Sequence, residues 1–230
     1  LVLDQGPGNR TLAVEGIGGG DQVTAGEHRR QLVGTLGIGL QLHGIEIETE
    51  QVDLGAGDQF SEEFRRVNPD CVVPALVLDD GTCLSEAIAI CQYLEELHPE
   101  PPLFGTSPVE RACVSMWNAK IEQQGLWAAA DALRNYAKSF RGRAVSGLDS
   151  YEQIPELAER GRRRAERFFH RLDEQLADRP FVAGNNFSVA DITALAFVDF
   201  AKWVKLEIPE DAGNLRRWYE EVSKRPGAAA

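Results

Sequence analysis

Apolar and polar residues alternate from Ile45 to Leu54 (IEIETEQVDL), the two-residue period of a half-buried strand. Residues 61–68 (SEEFRRVN) read as a short helix with Ser61 as its N-cap. An apolar run, Cys71 to Leu78, meets Asp79-Asp80-Gly81 and then Thr82-Cys83-Leu84, which is a strand, a tight turn and a second strand. From Ser85 the period lengthens. Ala87, Ile90, Leu94 and Leu97 fall on one face of a helix expected over 85–98, with Ser85 as its cap.

Past residue 104 the pattern is helical throughout. Ser107-Pro108-Val109-Glu110 combines an N-cap, a proline at the first helical position and a glutamate at the third. The helix it opens is expected to reach about Lys138, bent at Gly125. A looser stretch, 141–155, follows. Over 156–178, Leu157, Gly161, Ala165, Phe168, Leu172 and Leu176 form one stripe, and the arginines fall outside it. That basic outer face reads as a solvated surface with pairs such as Glu156–Arg160 and Glu159–Arg163. Phe187 to Ile192 (FSVADI) reads as a capping box, Ser188 with Asp191, closed by a Phe187–Ile192 staple. It is a structural motif rather than a catalytic Ser/Asp pair. The nearly all-apolar segment 190–201 behind it predicts a buried helix.

Residues 1–42 stand apart, holding ten of the 22 glycines. Gly16–Gln22 fits no phosphate-loop spacing and reads as a surface loop. Charge is also uneven on this chain of net −12: residues 1–104 carry 18 Asp+Glu against 5 Arg, and residues 105–230 carry 18 against 19 Lys+Arg. That break predicts two domains, 1–104 and 105–230. An acidic chain is a poor general ligand for nucleic acid. No apolar run approaches the ~18 residues of a membrane span, and no secretory leader pattern opens the chain. Cys71, Cys83, Cys91 and Cys113 lack metal-site or redox-pair spacing, so they read as reduced thiols of a cytoplasmic protein, with no bound metal.

Pro74 lies inside an apolar strand pattern, although proline cannot donate to a sheet ladder. Placed just ahead of a hairpin, it predicts a cis Val73–Pro74 bond. Val73 would then offer its own N–H and C=O sideways, and such a pair grips another peptide as a short added strand. The helix start at Ser85-Glu86-Ala87 offers free N–H groups and a positive dipole end, which suit a carboxylate. Together they suit a small anionic peptide.

These residues carry a family resemblance. Asn68-Pro69 with Val73-Pro74, the Asp79-Asp80-Gly81 turn, Leu84-Ser85-Glu86 with Ala89-Ile90, and Tyr93-Leu94-Glu95 resemble the N-terminal domain of cytosolic glutathione S-transferases, of the bacterial type. Residues 181–193 and 214–226 are similar to their helical domain, so the resemblance spans roughly four fifths of the chain. It implies an α/β plus all-α fold: a thioredoxin-like βαβ–ββα domain, then an all-helical domain, as a homodimer. It implies glutathione as co-substrate, with Val73 and Pro74 at the cysteinyl backbone and Glu86 and Ala87 at the γ-glutamyl end. A small hydrophobic electrophile would meet Met116, Trp117, Gln124, Trp127 and Arg134 of the first long helix. The implied role is detoxifying transfer. The same fold also serves glutathione-dependent reductases, peroxidases and isomerases, and without a thiol activator it would serve as a dimerisation or docking module.

Two departures stand out. Ala87 replaces the serine that follows the glutamate in the family, removing a hydroxyl from the γ-glutamyl carboxylate. Residues 1–42 do not show the family's first strand and helix, where its thiol-activating residue sits. Either Leu1–Asp4 is that strand, with Asn9 or Thr11 following, or 22–25 is, with a helix over Glu27–Leu42 and Thr24 as the activating residue. The abrupt change in composition also suggests a shifted reading frame in this segment, which sequencing the intact protein's N-terminus decides.

Overall fold

The computed structural model describes residues 2–4, 10–12, 42–43, 52–78, 80–225 and 228. They fall into two compact units. One runs from the start of the chain to Pro101 and takes in Ser146–Asp149; the other holds Pro102–Val145 and Ser150–Ala229.

The first unit contains an antiparallel sheet in chain order: β1 (Val2–Asp4), β2 (Arg10–Leu12), β3 (Ala75–Val77) and β4 (Cys83–Ser85). A strand near the start of the chain was one of the two expectations for this segment, and β1 occupies it. Thr11 lies in β2. Residues 5–9 are too few for a crossover helix, so β1 and β2 form an antiparallel pair rather than the first βαβ unit. Asn9, Thr24, the glycine loop at 16–22, the strand at 22–25 and most of the helix at 27–42 lie outside the described residues.

The strand expected over 45–54 is described only at its end, and there it is corrected. Val52–Leu54 are not in a strand, because the Asp53 carboxylate accepts the N–H groups of Gly55 (2.7 Å) and Ala56 (3.0 Å) and turns the chain. Helix α1 (Glu62–Val67) forms as expected, with Ser61 Oγ accepting the Phe64 N–H at 3.1 Å. The hairpin is also present. Gly81, at φ 85°, closes its turn by donating to the Leu78 carbonyl at 2.9 Å. Its first strand starts at Ala75 rather than Cys71. The residues before it follow a loop whose Cys71 has φ 54°, and Pro74 has no N–H to give the ladder.

The second unit is helical: α3 (Pro108–Ile121), α4 (Trp127–Arg134), α5 (Pro155–Gln175), α6 (Val189–Ala201) and α7 (Gly213–Val222). (Helix α2, Ala87–Leu97, belongs to the first unit.) The capping box of α3 forms as read from sequence, with Glu110 N–H donating to Ser107 Oγ at 3.2 Å and Ser107 N–H to Glu110 Oε2 at 3.1 Å. The long helix is not continuous to Lys138. A π-helical turn, Glu122–Leu126, separates α3 from α4, and Lys138 belongs to a separate short 3-10 turn. Gly125 sits within the π turn, where a Cβ would lie 3.0 Å from the rings of both Phe168 and Phe197. The widened turn also frees the Gln123 carbonyl, which accepts from the Arg164 guanidinium at 2.7 Å.

The stripe on α5 is buried from Gly161 through Leu172, with Phe169 added to it. Outside it, Glu159–Arg163 pairs at 3.7 Å and Arg162–Glu166 at 3.2 Å. At Gly161 the backbone of α5 lies tightly against α4. A Cβ there would lie 2.5 Å from the Ala128 carbonyl oxygen and 2.8 Å from the Ala132 nitrogen. Backbone atoms cannot swing aside, so overpacking outweighs the ~1 kcal/mol that alanine gains in helix propensity. Gly161→Ala is expected to destabilise by about 2 kcal/mol, read as a lower denaturant midpoint with unchanged slope.

Helix α6 is buried along most of its length. Its Asp191, fully buried, accepts four hydrogen bonds: Val182 N–H (2.9 Å) and Trp218 Nε1–H (2.9 Å) on Oδ1, Ser188 N–H and Oγ–H (3.0 Å each) on Oδ2. The motif is thus a capping box that also ties α6 to α7, a structural centre as its sequence suggests. Phe187 packs edge-on against Phe181, with ring centroids 5.8 Å apart.

Candidate functional site

The candidate site of the first unit is built on the β3–β4 ladder. Ala75 pairs with Ser85 at the end of the ladder, so Val73-Pro74, just before Ala75, and Glu86-Ala87, just after Ser85, leave it at the same end. A strand end and a helix start, separated by a hairpin in sequence, are thereby adjacent in space.

Each side is fixed from below. Asn68, buried, donates its side-chain N–H to the Val72 carbonyl at 2.7 Å and accepts from the Asp70 N–H at 3.2 Å. It clamps the loop that delivers Val73, a role the sequence reading missed although Asn-Pro is a turn signal. The Val73 side chain packs against the small core of Val52 and Phe64. Phe64 is held there by the capped helix α1. The Val73–Pro74 bond is cis, as expected from sequence, and the ladder begins only at Ala75.

On the other side, helix α2 does not start at Ser85. Ser85 ends β4, paired with Ala75, and Glu86 is the N-cap. Glu86 has φ 69° and ψ 121°, a region that side-chain-bearing residues rarely occupy. Its own side chain makes no capping bond and is exposed. Such backbone strain, about 1–3 kcal/mol, concentrates at ligand-binding positions. The first N–H groups of α2 have no intrahelical acceptor and point from its positive end. On its inner face α2 buries Ile90, Cys91 and Leu94, while Leu97, expected inside, is exposed. The site thus combines a strand-like backbone edge, a free carboxylate and an anion-accepting helix start.

The candidates on the helical unit are differently placed. Met116 and Trp127 are exposed, Trp127 by 70%. Trp117 is buried, with the Lys120 ammonium 4.6 Å from its ring centroid. Gln124 lies in the π turn. The Arg134 guanidinium donates to the carbonyls of Ala144 (3.2 Å) and Arg143 (2.9 Å) and lies 4.7 Å from the Phe140 ring centroid, holding the loop after α4. All four cysteines are free thiols, and burial pushes the Cys91 thiol up to about 12. Burial, then the Asp70 carboxylate, also raises Cys83, so it is poorly suited to be a thiolate nucleophile.

Residues 35–97 match the glutathione S-transferase N-terminal domain family, and residues 136–226 match its C-terminal domain family. Glutathione S-transferase 2 of Saccharomyces cerevisiae is 33% identical over 78% of this chain and 75% of its own length. The chain belongs to the glutathione S-transferase family. The crystal structure of Gtt2 from Saccharomyces cerevisiae agrees, with a TM-score of 0.77 at 32% identity, covering 85% of this chain and 92% of that one. A glutathione S-transferase domain-containing protein of Marinobacter aquaeolei has a TM-score of 0.78 at 32% identity, covering 85% and 94%. This glutathione S-transferase therefore has a thioredoxin-like domain followed by an all-helical one. The N-terminal family match begins at residue 35, upstream of Gly44 where the motifs become legible by eye. Among the described residues no helix is long and apolar enough to cross a membrane.

Proposed function

We propose that this glutathione S-transferase adds the thiolate of glutathione to small hydrophobic electrophiles. The observation that carries the reading is the Ala75–Ser85 pair, from which Val73-Pro74 and Glu86-Ala87 leave the ladder at the same end. The Val73 backbone takes the cysteinyl N–H and C=O as a short antiparallel strand. The Glu86 carboxylate faces the γ-glutamyl ammonium, and the N–H groups at the start of α2 hold the γ-glutamyl carboxylate. Anchored at both ends, the thiol first gives its proton to solvent, and as the thiolate forms the carbon–sulfur bond the electrophile either releases its leaving group with the bonding pair or, in an addition, opens its π bond and takes up a proton. A free thiol has a pKa of ~8.5, and lowering it by ~2 units takes about 2.7 kcal/mol of preferential anion stabilisation. The donor that supplies it is assigned to residues 1–42, with Thr24 as the sequence candidate. The exposed Met116 and Trp127 are the apolar groups proposed to meet the electrophile, together with Gln124. Four free thiols suit a reducing cytoplasm, and the family resemblance supports action as a homodimer.

Ala87 gives this reading a gain-of-function test. A serine hydroxyl there restores a bond to the γ-glutamyl carboxylate, worth about 0.5–1.5 kcal/mol. Ala87→Ser is expected to tighten glutathione about three- to tenfold in calorimetric titration, with unchanged thermal stability. An unaltered affinity would place the γ-glutamyl end elsewhere.

A further inference from the structure

We draw no further inference here: the strongest candidate, the buried Gln59 side-chain oxygen in the turn ahead of helix α1, which has no hydrogen-bond partner among the described residues, lies in the chain between Val52 and Phe64, the small core that Val73 packs against, and so belongs to the site already described.

Discussion

Asp191→Ala is expected to lower the stability of the helical unit by at least about 4 kcal/mol. The substitution strands four donors in a dry interior: the N–H groups of Val182 and Ser188, the Ser188 hydroxyl and the Trp218 indole. Each buried donor without an acceptor costs about 1–3 kcal/mol. Whole domains are stable by only ~5–15 kcal/mol, so the variant lies near the edge of folding. A thermal midpoint lower by roughly 10 °C or more is expected. Asp191→Asn keeps the shape but turns one acceptor into a donor, so it should fall between the two proteins. It also isolates a pH effect. Burial pushes the Asp191 carboxyl up to about 6, against the opposing pull of its four donors. The unfolded carboxyl titrates near ~3.9, so the contribution of this group is fully present below that pH and is lost as pH rises through about 6. The stability gap between wild type and Asp191→Asn should therefore narrow by about 2 kcal/mol from pH 4 to pH 7. A gap that widens over that range would reverse the assignment.

The second large effect concerns Glu86. Removing its carboxylate in Glu86→Ala should raise KM for glutathione about ten- to one-hundredfold, the scale of one charge-assisted hydrogen bond of ~1.5–3 kcal/mol. The change should appear mainly in KM, because the contact is made equally by bound substrate and transition state. Stability should hardly move, since the side chain is exposed and caps nothing. Glu86→Gly separates two roles. Glycine adopts φ 69° without strain, so this variant should gain up to about 1 kcal/mol of stability while losing glutathione to the same degree. Opposite signs on stability and binding are what a strained ligand-holding residue predicts. A Glu86→Gly protein that is more stable and binds glutathione normally would remove Glu86 from the site.

The parts of the fold legible in sequence are those set by local chemistry. Ser107 and Glu110 at α3, Ser61 at α1 and the turn that Gly81 closes onto Leu78 each act within a few residues, and each is where the pattern puts it. Pro74 is legible for the same reason, because a residue without an N–H cannot sit inside a ladder. Elements decided by tertiary contact were not legible. The π turn answers to Phe168 and Phe197 closing over Gly125 and to Arg164 reaching Gln123 from another helix. Ser85 has the chemistry of a cap, but its pairing with Ala75 keeps it in β4 and passes the N-cap to Glu86. Arg134 looked available for substrate, yet its donors are taken by carbonyls nine and ten residues away. Asn68 clamps the loop before Val73 through bonds whose partners are local, but an Asn-Pro signal alone does not distinguish a clamp from a surface turn.

The most direct test of the proposed activity is to titrate the purified protein with glutathione and follow thiolate absorbance across pH, with turnover of a reactive aryl halide on the same sample. Saturable binding, a bound thiol titrating ~2 units below its free value and conjugate formation are the predicted result. Glutathione that binds with an unshifted thiol and forms no conjugate would contradict it, leaving a cradle that holds the peptide without activating it.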